Sequence, residues 1–321
     1  MAAKRQFSYQ DLFRVVYRTL DYRQLVIQGL GLFCALLAAY AFSTASYFVQ
    51  GSLTFFPWFL NLLGVISFYL ILLVFSGPVT YLALRETADG KSAGIASSLR
   101  RGFRYAPQLL RAPLNVLSFL LFCLIILAAL ISAGLLPRAG TLIWSLLIVP
   151  QFLLSLFIVI GVLSLLAGTL LLPSIIIDRE IPARQAFQEL SALIKRNFFT
   201  FWGYVFTALF LTAAYFAAAT LILLGALSVF FALSASILGD KPGAVIMNIP
   251  PFFHKIAPVL ETALPMPAAI PPASPLLSLS GVLAGFSLLV IYVIWLAYPV
   301  LYAFNSGVVA YLALTQKGDR G

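Results

Sequence analysis

The stretch FTFWGYVFTALFLTAAYFAAATLILLGALSVFFALSASIL, residues 199–238, runs for about 40 residues without one Asp, Glu, Lys or Arg. A helix needs about 20 predominantly apolar residues to cross a bilayer. Backbone N–H and C=O groups in hydrocarbon have no water to bond, so a spanning segment must pair them internally, which selects a helix over a lone strand. This run therefore reads as a transmembrane helix. At nearly twice the minimum length it is expected to tilt or to project past the headgroups.

Five more runs have the same character: residues 25–48, 58–84, 113–136, 141–173 and 276–314. The last is again overlong, and Gly225 and Pro299 are the only suitable places to break either long run in two. The composition agrees, with 62% hydrophobic and 9% charged residues, against about 45–50% and about 25% in ordinary soluble domains. The expected fold class is all-α: a polytopic membrane helix bundle with six spanning helices in one membrane domain, residues 1–321. The charged region ahead of the first run is too long for a signal peptide and has the pattern of an amphipathic helix, so that run is expected to be retained. Cys34 and Cys123 lie inside apolar runs and read as small buried hydrophobes, not as a disulfide.

A formal charge of +10 suggests nucleic acid at first sight. The distribution argues otherwise, because no charge interrupts a span. Seventeen of the 20 Lys and Arg residues fall in the amino-terminal segment, the second and fourth loops and the tail; Arg138, Lys241 and Lys255 fall on the other side. Basic loops stay in the cytoplasm. Both termini are therefore expected there, in a bacterial inner membrane, with no nucleic-acid partner.

The chain also repeats itself. GPVTYLAL at residues 77–84 and GVVAYLAL at 307–314 match at six of eight positions, each at the same end of an even-numbered span, and Gly168 to Pro173 forms a weaker copy. Ahead of the odd spans, a pattern of apolar, three variable, apolar, basic recurs and ends at Arg18, Arg104 and Lys195. Three units are expected, at about 1–90, 91–181 and 182–321, each an interfacial amphipathic helix followed by a helical hairpin. In the third, Ala183, Ala186, Phe187, Leu190, Leu193, Ile194 and Phe198 fall on one face and Arg184, Gln188, Glu189, Lys195 and Arg196 on the other, with Pro182 at the start. Such a helix lies in the headgroup plane with its basic face towards anionic lipid. Candidate lipid or partner contacts are Arg18, Arg100, Arg104, Arg184, Lys195 and Arg196. Plain positive-inside anchoring is the competing explanation. Gly and Pro near the ends of the even spans serve either as hinges or, more commonly, as packing points.

The third hairpin carries an insertion at residues 239–275 with nine prolines. It is too apolar for a solvated linker. Phe252, Phe253, Ile256, Val259, Leu260 and Leu264 fall on one face of a short helix. The segment either rests on the outer leaflet or docks on another protein, with Phe252 and Phe253 as candidate contacts, or it seals the end of the bundle.

Catalytic patterns are missing. The single histidine, His254, has only Glu261 near it in sequence, which is a poor start for a zinc site. Asp89-Gly90-Lys91-Ser92 has Arg85 where a phosphate-binding loop needs glycine, and no strand precedes it. Gly29 and Gly31 lie in a spanning helix and not in a dinucleotide fold, and there is no Gly-x-Ser-x-Gly elbow. The spans carry none of the charged groups on which proton relays and many coupled carriers depend. Asn61, Asn115, Thr169, Asn197 and Asn305 are their strongest polar groups. No cofactor, metal or enzymatic activity is expected.

The order of elements and the stretch LLPSIIIDREIPARQAFQELSALIKRNF, residues 171–198, resemble a loose group of bacterial integral membrane proteins. The group includes the membrane domain of certain glycerophosphodiester phosphodiesterases and uncharacterised inner-membrane proteins of the YciC type. In it a Leu-Pro pair, here Leu172-Pro173, closes a helix ahead of an Ala- and Ser-rich amphipathic helix, here residues 183–195. The catalytic barrel of some relatives is absent, so the resemblance implies a membrane module without the hydrolase. The function expected is a non-enzymatic scaffold or modulating subunit of a larger membrane assembly, contacting membrane lipids, anionic ones in particular, and a membrane-protein partner. The alternative is a passive pore or permease for an apolar or lipid-like substrate.

Overall fold

The computed structural model describes residues 8–49, 55–90, 93–132, 144–239, 241–249 and 275–318. Ten helices are named here: α1 (Tyr9–Thr19), α2 (Tyr22–Phe48), α3 (Phe55–Leu84), α4 (Ile95–Arg104), α5 (Ala106–Ser132), α6 (Ile148–Arg179), α7 (Ala183–Arg196), α8 (Phe198–Leu238), α9 (Lys241–Met247) and α10 (Pro275–Gly318). Among the described residues, α2, α3, α5, α8 and α10 contain stretches long and apolar enough to cross a membrane. The remaining expected span falls on α6, a continuous helix of 32 residues that includes the apolar stretch Ile148–Val159.

The two long runs are not broken. α8 has 41 residues and α10 has 44, so at about 1.5 Å per residue they extend about 60 and 66 Å, well beyond a hydrocarbon core of about 30 Å. Pro299 sits inside α10, as Pro78, Pro113 and Pro173 sit inside α3, α5 and α6. α5 starts at Ala106, ahead of the apolar run at 113, because a helix can continue through Arg111 into the headgroup region.

Three helix pairs are antiparallel. In α2 and α3, Gly31 meets the Phe75 ring and Gly64 meets Phe42, while Asn61 donates to the Ser46 hydroxyl at 3.1 Å and that hydroxyl donates to the Pro57 carbonyl at 3.0 Å. In α5 and α6, Leu120 fills the space over Gly161, the rings of Phe119 and Phe157 meet edge to face, and Gln151 donates to the Leu130 carbonyl at 3.1 Å. In α8 and α10, Tyr215 lies against Tyr302 and Phe216 against Trp295.

The chain forms two compact units. The first comprises Met1–Leu12, Ser76–Phe206 and Ser306–Gly321; the second comprises Phe13–Phe75 and Thr207–Asn305. The first unit buries Val79, Leu82, Leu109, Leu171, Ile175, Ile176, Val308 and Leu314. Among the described residues its helices come closest, backbone to backbone, at Gly102 and Gly307. A Cβ on Gly102 of α4 would overlap Pro78 of α3, and one on Gly307 of α10 would overlap the Leu170 carbonyl of α6. Both act as packing points, as small residues do between membrane helices.

In the second unit, Leu32, Leu289, Val293 and Ala297 form one cluster. Leu227, Phe231, Tyr292 and Trp295 form another, which Ile246 and Ile249 join from the start of the proline-rich insertion. The described part of that insertion therefore folds back on its own hairpin. Its expected apolar face, with Phe252 and Phe253, and His254 and Glu261 lie outside the described residues.

Candidate functional site: a polar cavity at the charge-rich edge

Two irregularities in the first unit frame one cavity. α3 is apolar up to Leu84, and its first charge, Arg85, opens a π-helical turn, Arg85–Asp89, which Gly90 caps with φ 64 while donating its N–H to the Arg85 carbonyl. A π turn shifts the phase at which side chains leave a helix and is frequent at functional sites. α6 ends at Arg179, and Glu180 follows with φ 53 and ψ 34. Left-handed backbone costs an L-residue with a Cβ about 1–2 kcal/mol, and such strain concentrates where a side chain must be aimed. Pro182 then caps α7 in extended conformation.

The result is a cavity of about 220 Å³ lined by Tyr81, Arg85, Arg101, Asp178 and Glu180, with Leu84 and Ile177 as its apolar wall. Arg101 donates from Nη1 to the Tyr81 hydroxyl at 2.9 Å. The guanidiniums of Arg85 and Arg101 both lie over the Tyr81 ring, 5.7 and 5.6 Å from its centre, within cation–π range. Tyr311 of α10 donates to Asp178 Oδ2 at 2.7 Å, and Arg179 Nε reaches the Tyr311 hydroxyl at 3.4 Å. Tyr105, at the junction of α4 and α5, is buried. That burial first, and the neighbouring Glu180 carboxylate second, push its hydroxyl pKa up, so it stays protonated through the physiological range. The arrangement is suited to binding a polar group carrying both signs of charge.

A second feature lies in the same unit. α5 and α7 border an open groove of about 850 Å³ with Val116, Phe119 and Phe187 on its apolar surface and Arg184 and Lys195 among its lining. α7 buries Ala183, Ala186 and Leu190 and leaves Arg184, Gln188, Lys195 and Arg196 exposed. Arg100 and Arg104 are exposed on α4, and Arg18 is half-buried in the last turn of α1. Among the described residues the expected contacts are thus spread along several short helices, with Arg184 and Lys195 sharing one concave surface.

In the sequence Arg85 and Arg101 read as ordinary loop cations, and no binding motif marks Asp178, Glu180, Tyr81 or Tyr311 for a role. A signal existed: Tyr81 and Tyr311 are the same position of the recurring YLAL motif, and Tyr81 lines the cavity while Tyr311 donates to Asp178 in its wall. The second unit holds a buried amide cluster as well. Asn305 donates to Gln24 Oε1 at 2.7 Å and to the Leu301 carbonyl at 2.9 Å, while neither side-chain polar atom of the fully buried Gln28 has a hydrogen-bond partner.

Comparison of the chain with family models, with curated proteins and with solved structures finds no match.

Proposed function

We propose that this chain is a non-enzymatic inner-membrane protein that scaffolds or modulates a larger membrane assembly. The observation that carries this reading is the backbone-to-backbone packing at Gly102 and Gly307. Helices locked so closely make the first unit a fixed frame. In this reading α6 is the sixth span, both termini are cytoplasmic, and the exposed basic residues of α1, α4 and α7 rest on anionic lipid. The resemblance to the YciC type belongs to the same proposal.

A threefold repeat fits it too. A short helix ending at or next to a basic residue precedes a long apolar helix three times: α1 before α2, α4 before α5 and α7 before α8. Each is followed by an antiparallel partner. Gly77 and Gly307, equivalent in the repeated motif, both lie close under the backbone of a neighbouring helix.

Purification in mild detergent tests the function. A stoichiometric membrane-protein partner is the expected result. A monomer that retains lipid and no protein would favour passage of an apolar or lipid-like substrate, the reading that the open groove beside α7 supports. Topology is tested separately. A cysteine at Val245 is expected to react with an impermeant thiol reagent outside intact cells, and one placed at Lys317 is not. With the amino terminus cytoplasmic, labelling of position 317 would require an odd number of spans.

A further inference from the structure

The polar cavity carries an assignment that neither reading of the function includes, and it stands whether or not the chain is a scaffold. We propose that the cavity binds the headgroup of a zwitterionic aminophospholipid, with the phosphodiester facing Arg85 and Arg101 and the primary ammonium facing Asp178 and Glu180.

Charge comes first. Two guanidiniums and two carboxylates line one small space, so a ligand of a single sign meets repulsion from half of the lining. A headgroup with a phosphodiester and an ammonium matches both halves. Arginine supplies a fork of N–H donors suited to phosphate oxygens, and carboxylates accept the N–H bonds of an ammonium.

Depth comes second. The apolar wall consists of Leu84 and Ile177, the residues immediately ahead of the first charges of α3 and α6. Two helices thus pass from apolar to charged sequence at the cavity, the level at which lipid headgroups lie.

The amine class comes third. The Tyr81 ring already has two guanidiniums over it, so it is not an open aromatic surface for a quaternary ammonium, which carries no N–H. A primary ammonium is the form that the two carboxylates recognise. Tyr311 fixes Asp178 from behind, and the left-handed backbone at Glu180 turns the second carboxylate towards the same cavity.

The test uses the full-length protein in nanodiscs holding equal amounts of phosphatidylethanolamine, phosphatidylglycerol and phosphatidylcholine with identical acyl chains. Lipids retained after extraction are counted by native mass spectrometry. Phosphatidylethanolamine is expected to be retained roughly tenfold over each of the others, since one charged hydrogen bond is worth about that factor. Glu180→Gln is expected to bring it down to the level of phosphatidylcholine. Glu180→Gly removes the same carboxylate while relieving the backbone, so the same loss there is not a folding defect. Arg101→Gln is expected to lower retention of phosphatidylethanolamine and to leave the other two unchanged. Retention of phosphatidylglycerol equal to or above that of phosphatidylethanolamine overturns the proposal, as does an unchanged preference in both Glu180 variants. Displacement of the lipid by free phosphoethanolamine at matching concentration overturns the lipid assignment in favour of a soluble ligand.

Discussion

Gly307→Ala is expected to destabilise the protein by about 1–3 kcal/mol, the usual cost of forcing extra atoms into a packed interior. The new methyl group would meet the Leu170 carbonyl, which belongs to a helix backbone and cannot swing aside as a side chain can. Separation of α10 from α6 would also strain the Tyr311–Asp178 hydrogen bond, since Tyr311 lies one helical turn further along α10. Gly225→Ala is the control. Gly225 has open space around it in the middle of α8, so alanine there should be neutral or stabilising by about 0.5–1 kcal/mol. Thermal unfolding of both variants in the same detergent checks the pair. Equal melting temperatures would mean that the contact at Gly307 does not hold the unit together.

Replacing Arg184, Lys195 and Arg196 together by Gln is expected to weaken the hold of α7 on anionic lipid about a hundredfold. Each basic residue near an anionic surface contributes about 1 kcal/mol, and about 1.4 kcal/mol is tenfold in affinity. All three side chains are exposed while Ala183, Ala186 and Leu190 are buried, so the substitutions leave the packed face untouched. A peptide of residues 181–198, titrated onto anionic and neutral vesicles, isolates the effect. The native peptide should bind anionic vesicles far better and the Gln variant should not discriminate. If the native peptide binds both vesicles equally, apolar contact alone holds it.

The helices were legible because apolar length is a direct physical requirement of the bilayer. The runs at 25–48, 58–84, 199–238 and 276–314 lie within α2, α3, α8 and α10 almost to their ends. The helix at residues 183–196 was readable for a different reason: its small and apolar residues recur at helical spacing and its charges do not. The polar cavity was not legible. Arg85, Arg101, Asp178 and Glu180 are spread over nearly a hundred residues, and what assembles them is backbone geometry that no residue type announces. Arg-Glu-Thr-Ala-Asp carries no mark of a π turn, and glutamate is an unusual residue to find in left-handed conformation. Only the tyrosine shared by the two YLAL motifs pointed there, and a repeat read as architecture concealed its second use, one hydroxyl bonded to Arg101 and the other to Asp178.

The make-up of the first unit has a consequence for biogenesis. It draws on residues near the amino end, on 76–206 and on 306–318, with about 100 residues of the other unit synthesised between the last two. The chain leaves the ribosome from its amino end, and domains generally fold as it emerges. Here α6 must wait with the space opposite Leu170 unfilled and Asp178 without Tyr311 until α10 arrives. The interval exposes a half-finished helix surface to proteases and insertion chaperones, and the closing step is the docking of α10. Lesions in α10 would therefore disable a unit built mostly from residues 76–206.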